Sequence, residues 1–418
     1  MSPGSHGSAR RRARSAARRA AAALAALLAC GCAPAREDPA AAARAAYLRN
    51  DLLAADSAFA RALAARPRDA ELRAWRAETL RRLGRLDEAE AEARAALAAA
   101  PGLAFAHTVL GNCFDPLLSD GPRASRDSCL AHLEAAVRAD AREAEAWLAL
   151  WKYAAAGGDT AREREAMRRV DEAGYFSGPA LAYGQWQLET LPEGAVLVTN
   201  GDLDTYPPRL LQLVRGVRAD VAVVNASLLH WHEYARAVAA ATGLPLAPHA
   251  AGRGPTGGEG GAAEARGNEV LRGWRELARR GGLARPLAIA VTVPPEAAGD
   301  PADPRLRLCG PYWIVAADTS GAAADAERFR RAVFSIEPES FAAPLVTERD
   351  RSPVRRATGG SLAHNLIAAT FAWGQRALAA GDAEGARMAA ERIEALARRL
   401  PHAPDVSEHV RLLRAGRP

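Results

Sequence analysis

Hydrophobic and small residues recur along the first half of the chain with the spacing of one helix face. Ala55, Phe59 and Ala62 are followed by Pro67, and Ala89, Ala93 and Ala96 are followed in the same way by Pro101. The offset is 34 residues. Apolar positions three and four apart predict amphipathic helices, and a proline that cannot continue a helix marks the end of each second one. The turn positions Gly84, Leu86 and Gly158 keep the register. A third unit opens on Leu110, Gly111 and Phe114, carries about six extra residues (an insertion in the repeat period), and resumes at Cys129, Leu133 and Ala136. Trp147, Leu150, Gly158 and Met167 set a fourth.

A 34-residue period of helix pairs is the mark of tetratricopeptide (TPR) repeats. Four units are expected over residues 41–174, with a concave face suited to a protein partner. A further TPR-like helix pair is expected at 360–401, from Trp373, Gly374, Gly381, Ala386, Ala390, Ile393 and Pro401.

The pattern changes at Leu191. Ala195–Thr199 and the run after Asp220 are short and continuously apolar, with a helix-like stretch between them that opens on Pro207 and Pro208. Strand, helix, strand at this spacing predicts a βαβ unit with parallel strands. RPLAIAVTV and LCGPYWIVAAD read as a third and fourth strand. An amphipathic helix, NEVLRGWRELARR, precedes them, and the Gly-rich stretch 247–267 reads as a flexible loop. The expected architecture is α plus α/β: a TPR solenoid, a small parallel-sheet domain at 185–335, and the C-terminal pair. Residues 318–360 read as polar and mixed, with the Arg349–Arg356 cluster a solvated loop or a contact for an acidic partner.

Charge changes the picture at the N-terminus. The 418 residues carry 55 basic and 49 acidic side chains. A basic stretch, SARRRARSAARR, leads into ten apolar residues, AAAALAALLA, and then Cys30. Ten residues are too few to span a bilayer, which needs about 20. The order is that of a secretory signal, and Leu27-Leu28-Ala29-Cys30 resembles a lipobox. Residues 1–29 are therefore expected to be removed and Cys30 lipidated, with 30–45 as a tether to the membrane of the cell envelope. The removed part holds six arginines and no acid, so the mature chain has 49 of each sign. That disfavours a nucleic-acid partner. Cys113, Cys129 and Cys309 are too few for a disulfide scaffold and read as buried small residues, although an oxidising compartment would permit a Cys113–Cys129 bridge.

Candidate chemistry gathers after the first two strands. Asn200, Asp202, Asp204 and Thr205 follow the first, and His230 and His232 follow the second. Parallel strands place these on one carboxyl edge, where open α/β folds bind ligands. Asp202-x-Asp204 could hold a divalent metal and a diphosphate, or carboxylates and imidazoles could bind zinc. The competing reading is structural: Asn, Gly and Asp form turns, Asp204 or Thr205 caps the following helix, and the histidines open the next one. No P-loop, G-x-S-x-G or H-E-x-x-H is present, so no catalytic residue and no obligatory cofactor is assigned.

The block TNGDLDTYPPRLLQLVRGVRADVAVVNASLL resembles one in a family of large bacterial O-mannosyltransferase-like membrane proteins, which join a multi-pass half to a soluble envelope half with TPR units. RPLAIAVTV, CGPYWIVAAD and the last helix pair resemble the strands and tail that follow it, so the resemblance covers roughly residues 185–400. This chain departs from the family in having no multi-pass half, so glycosyltransferase chemistry is not implied. The expected function is a membrane-tethered scaffold binding a protein or glycan-pathway partner. The alternative is a metal-dependent sugar- or nucleotide-binding enzyme using Asp202 and Asp204.

Overall fold

The computed structural model describes residues 38–118, 123–246, 260–318, 320–401 and 403–416. The leader, Cys30 and most of the 247–267 stretch lie outside these residues. No helix among the described residues is long and apolar enough to cross a membrane.

Four consecutive helix pairs come first: α1 (Pro39–Leu48) with α2 (Leu52–Ala65), α3 (Ala70–Arg82) with α4 (Leu86–Ala99), α5 (Ala104–Phe114) with α6 (Arg126–Ala139), and α7 (Ala144–Gly157) with α8 (Thr160–Glu172). Asp51, Asp69, Ser125 and Asp159 accept a backbone N–H at the starts of α2, α3, α6 and α8, which satisfies donors that a helix leaves open at its N-terminus. Ala55, Phe59, Ala62, Ala89, Ala93, Ala96, Leu133 and Ala136, the periodic positions of the sequence, are all buried. Small side chains there let the helices close in. At Gly111 an added Cβ would lie 2.9 Å from the Leu133 side chain.

A second regularity was not visible in the hydrophobic pattern. Arg73 donates to the Pro67 carbonyl at 2.8 Å, His107 Nε2 faces the Pro101 carbonyl at 3.2 Å, and Trp147 Nε1 donates to the Ala141 carbonyl at 3.0 Å. Each donor stands six residues beyond the carbonyl that closes the previous pair. Arg73 and His107 are 34 residues apart, and Trp147 follows after the same interval lengthened by the insertion.

Next come α9 (Gly178–Glu189), β1 (Val196–Thr199), α10 (Asp202–Arg215), β2 (Ala222–Asn225), α11 (His232–Thr242), α12 (Gly260–Arg279), β3 (Leu287–Ala290), α13 (Pro295–Ala298), β4 (Leu306–Leu308), β5 (Tyr312–Val315) and α14 (Ala322–Phe334). The five strands form one sheet in the order β2-β1-β3-β5-β4. β1 is parallel to β2 and β3, but β5 is antiparallel to β3 and to β4. The sheet is thus mixed, not parallel. Only Cys309, Gly310 and Pro311 separate β4 from β5, and so short a link makes a hairpin, never a crossover. Gly310 turns it with φ +101°, and a Cβ there would meet the Ala332 methyl at 2.6 Å.

Three further expectations are corrected. α10 starts at Asp202, so Pro207 and Pro208 lie inside it and do not open it. Gly184 of α9 makes room for them, since a Cβ there would be 2.8 Å from the Pro208 nitrogen. The Gly-rich stretch is not loop as far as residue 267, because α12 begins at Gly260. The region around Arg349–Arg356 is not a solvated loop: it leads into helix α15 (Pro353–Leu362), with Arg355 buried. α16 (His364–Ala379) and α17 (Ala383–Arg399) form the C-terminal pair, followed by α18 (Ser407–Arg414). Cys113, Cys129 and Cys309 are buried thiols, not bridged.

The hydrophobic interior falls into two clusters, and the division lies inside the third pair. One cluster runs from Ala40 to Cys113 on α5. The other begins at Cys129 on α6 and continues through the fourth pair, the sheet and the C-terminal helices. Trp151 meets Tyr206 edge-on with ring centres 5.2 Å apart, and Tyr153 meets Trp231 at 5.4 Å. These contacts join α7 to the sheet unit.

Candidate functional site

β1 and β2 end level with one another, Thr199 beside Asn225, and β3 ends on the same edge. A hydrogen-bonded frame stiffens this edge. Thr199 Oγ1 and Thr205 Oγ1 are 2.7 Å apart, Asn225 Nδ2 donates to Thr205 Oγ1 at 3.2 Å, and Ser227 Oγ donates to the Asn200 carbonyl at 2.5 Å.

The two aspartates of the Asp-x-Asp motif have different surroundings. Asp204 is buried. Its carboxylate accepts the backbone N–H of Asn200 at 2.9 Å and of Gly201 at 2.8 Å, and the Thr292 hydroxyl. Burial raises its pKa, with these hydrogen bonds pulling the other way. Asp204 is the third residue of α10, so it reaches back to the chain entering the helix, as in a capping box. Asp202, with its side chain 40% exposed, instead meets Arg355 Nη1 at 2.6 Å. The pair is therefore not poised around a common ion. Among the described residues no group of three or more His, Cys, Asp or Glu is placed to hold a metal.

Asp202 and His230 line the same cavity, of about 770 Å3. Asn200, Asp204, Thr205 and His232 are not in its wall. Thr205 is part of the frame, and His232 is the first residue of α11. His230 Nδ1 lies 2.7 Å from the Ser227 carbonyl.

The opposite wall comes from the first helices of the pairs: Glu78, Arg81 and Arg82 of α3, Phe105 and Asn112 of α5, Glu145 and Lys152 of α7. The segment Arg351–Arg355 closes the space between the two walls. The cavity thus lies between the helix array and the carboxyl edge of the sheet, two places the sequence marked separately. Leu118 and Val354, respectively 52% and 56% exposed, add an apolar margin.

Arg355 joins the walls. Its guanidinium donates to Asp202 at 2.6 Å, to both oxygens of Glu145 at 2.7 Å, to Asp350 at 2.9 Å and to the Tyr175 hydroxyl at 2.6 Å. Its side chain is only 10% exposed. Burial works against the Glu145 charge, but Arg355 and Arg351 outweigh it and hold the carboxyl below its ordinary range. Arg351 pairs with Glu143 and lies 4.2 Å over the Phe105 ring. Burial raises the Glu143 pKa despite that partner. Lys152 is paired with buried Asp115 at 3.0 Å. Glu78 is shared by Arg81 and Arg82. Burial pushes its pKa up, the two arginines push it down, and it settles at about 2.

The acidic partner of the arginine cluster is within the chain. Glu145 and Asp202 lie some two hundred and one hundred and fifty positions away from Arg355, and no local pattern could have named them.

The family model TMEM260-associated domain 2 matches residues 180–242. The match spans α9 to α11 and coincides with the block that resembles the O-mannosyltransferase-like family. No curated protein matches the chain significantly.

Proposed function

We propose that this chain is a membrane-tethered binding module of the cell envelope, a TPR array at 41–174 and 360–401 combined with a small α/β unit. The acyl group on Cys30 is the tether, and the cavity between array and sheet edge is the binding site. The single observation that carries the reading is that cavity, built jointly by the first helices of the pairs and the strand ends. Its volume of about 770 Å3 falls within the usual range of ligand pockets. Every cation in the wall is paired with a carboxylate in or beside it, Arg81 and Arg82 sharing Glu78. Such a wall offers many donors and acceptors with little net charge. It suits a short, neutral, polar segment of a protein or glycan-pathway partner better than a polyanion. The sheet edge bounds the cavity on the side facing the helix array, so the partner offers an end or a loop and not a long helix.

Asn112→Trp narrows the cavity from the array side. It is expected to abolish recovery of the partner from envelope extracts while leaving thermal stability near wild type. Recovery equal to wild type contradicts the cavity as the site. Cys30→Ser is expected to end fatty-acid labelling, and labelling that persists contradicts Cys30 as the acceptor.

A second reading rests on Asp202 and His230 sharing one wall at the carboxyl edge: a sugar- or nucleotide-binding enzyme of glycosyltransferase type. With Asp204 turned inward, only Asp202 of the motif is available to a divalent metal. Under this reading Mn2+ with a nucleotide-sugar raises the melting temperature of the wild type and not of Asp202→Ala. The absence of any rise removes it.

A further inference from the structure

The third helix pair carries a cluster that the cavity does not use. His107 on α5 and His132 on α6 face each other with their Nδ1 atoms 3.2 Å apart. His107 Nε2 is 3.2 Å from the Pro101 carbonyl. A carbonyl only accepts, so the proton of a neutral His107 sits on Nε2 and its Nδ1 presents a lone pair. Arg73 and Trp147 make the equivalent bond, and the Arg73 guanidinium also reaches Glu92 at 2.6 Å. Of the three, only histidine has a second ring nitrogen on the far side, and that nitrogen faces His132.

We infer that His107 and His132 form a two-imidazole site for a divalent transition-metal ion of the zinc and copper class. Zinc–imidazole bonds are about 2.0–2.1 Å long, so two nitrogens at this separation subtend an angle of about 100° at the ion, close to tetrahedral. In the metal-free protein His132 Nδ1 carries the proton of the contact, and when the ion binds there that proton moves to His132 Nε2, so both rings coordinate as neutral imidazoles. The His132 ring is stacked on Phe114, with centres 5.8 Å apart and planes 15° from parallel, which fixes its direction. Both rings are half-buried, so solvent completes the coordination.

The surrounding charges are modest. Glu90 and Arg94 act on His132 in opposite senses, and Glu90 is itself bonded to Arg94 and Arg123. A metal needs both imidazoles in the neutral form. Imidazoles select zinc, copper or nickel over magnesium and calcium. The position gives the ion a structural task. α5 ends the first hydrophobic cluster and α6 begins the second, so the ion clasps the seam between them.

Titration calorimetry of the full chain with Zn2+ tests the site. The expected result is one ion bound per chain at micromolar concentration, with little net proton release, because both rings bind as neutral imidazoles. His132→Ala is expected to weaken binding at least about tenfold. His107→Arg places the side chain of the preceding unit at the same position, keeps the bond to Pro101, and is expected to fold normally and lose the ion. With Cu2+, the electron paramagnetic spectrum of the wild type should show two nitrogen ligands. Failure of the wild type to bind at millimolar Zn2+, or binding by both variants with wild-type affinity, overturns the proposal.

Discussion

Two arginine clusters in this molecule look alike in the sequence and differ entirely in the fold. Arg387 on α17 bonds Glu384 and Glu391 of its own helix, all of them exposed. Arg355 bonds Asp350 five residues before it and Asp202 and Glu145 from two remote parts of the chain, and is buried. The first pair forms wherever the helix forms and is screened by water. The second forms only if the helix array, the sheet edge and the entry to α15 are all in place. It is a statement about the tertiary structure, and its removal leaves three carboxylates and a tyrosine hydroxyl without their shared donor.

Arg355→Ala tests that difference most severely. Breaking a buried ion network by removing one partner costs about 3–5 kcal/mol, and a large fall in the urea midpoint is expected. Arg355→Lys keeps the charge but not the fork, so it recovers only part of the loss. A midpoint unchanged in Arg355→Ala would mean that the network does not hold the walls together.

The paired aspartates give the next largest effect. Asp204→Ala strands two backbone N–H groups and the Thr292 hydroxyl beneath the sheet edge, at a cost of about 2 kcal/mol. Asp202→Ala, on the half-exposed side of Arg355, is expected to cost less and to act on binding instead. Equal losses from both would erase the distinction between a framing and a cavity-facing carboxylate.

Glu78 sharpens the comparison through pH. Its folded pKa of about 2 lies below the ordinary value of 4.5 because Arg81 and Arg82 overcome its burial. A depressed carboxyl stabilises the fold above the unfolded pKa and loses that contribution as pH falls through the folded one. Stability should therefore drop between pH 4.5 and 2, and Glu78→Gln should flatten that part of the profile. A profile identical in the two proteins places the acid sensitivity elsewhere. Arg387→Ala is the smallest change, and its melting temperature is expected to match wild type in a thermal scan.

The same contrast explains what was legible in the sequence. Ala55, Phe59 and Ala62, and their counterparts one period on, report local packing between adjacent helices, and the helix pairs follow from them. The apolar runs at β1, β2 and β3 were equally plain, since strands buried on both faces need no alternation. β4 escaped because three residues with Arg307 in the middle carry almost no pattern, and missing it hid the hairpin that makes the sheet mixed. Asp204 was weighed as a ligand and as a cap. Locating the helix start at Pro207 and not at Asp202 hid its position as third residue, which would have favoured the cap. The Arg349–Arg356 run defeats a local reading for a different reason: charge runs are usually solvated, and two of the carboxylates that hold Arg355 inside, Asp202 and Glu145, are remote in sequence. The Arg73, His107 and Trp147 bonds did leave a signal, a donor six residues past each closing turn, but one of spacing and not of residue type.

The central claim is that the cavity between the helix array and the sheet edge is where this chain meets its partner. Site-specific photo-crosslinking in intact cells tests it directly, with the probe placed at Asn112 in the cavity wall or at exposed Met388 on α17. The account predicts an adduct of one defined mass from position 112 and none from position 388. No adduct at 112, or the same adduct at both positions, would contradict it.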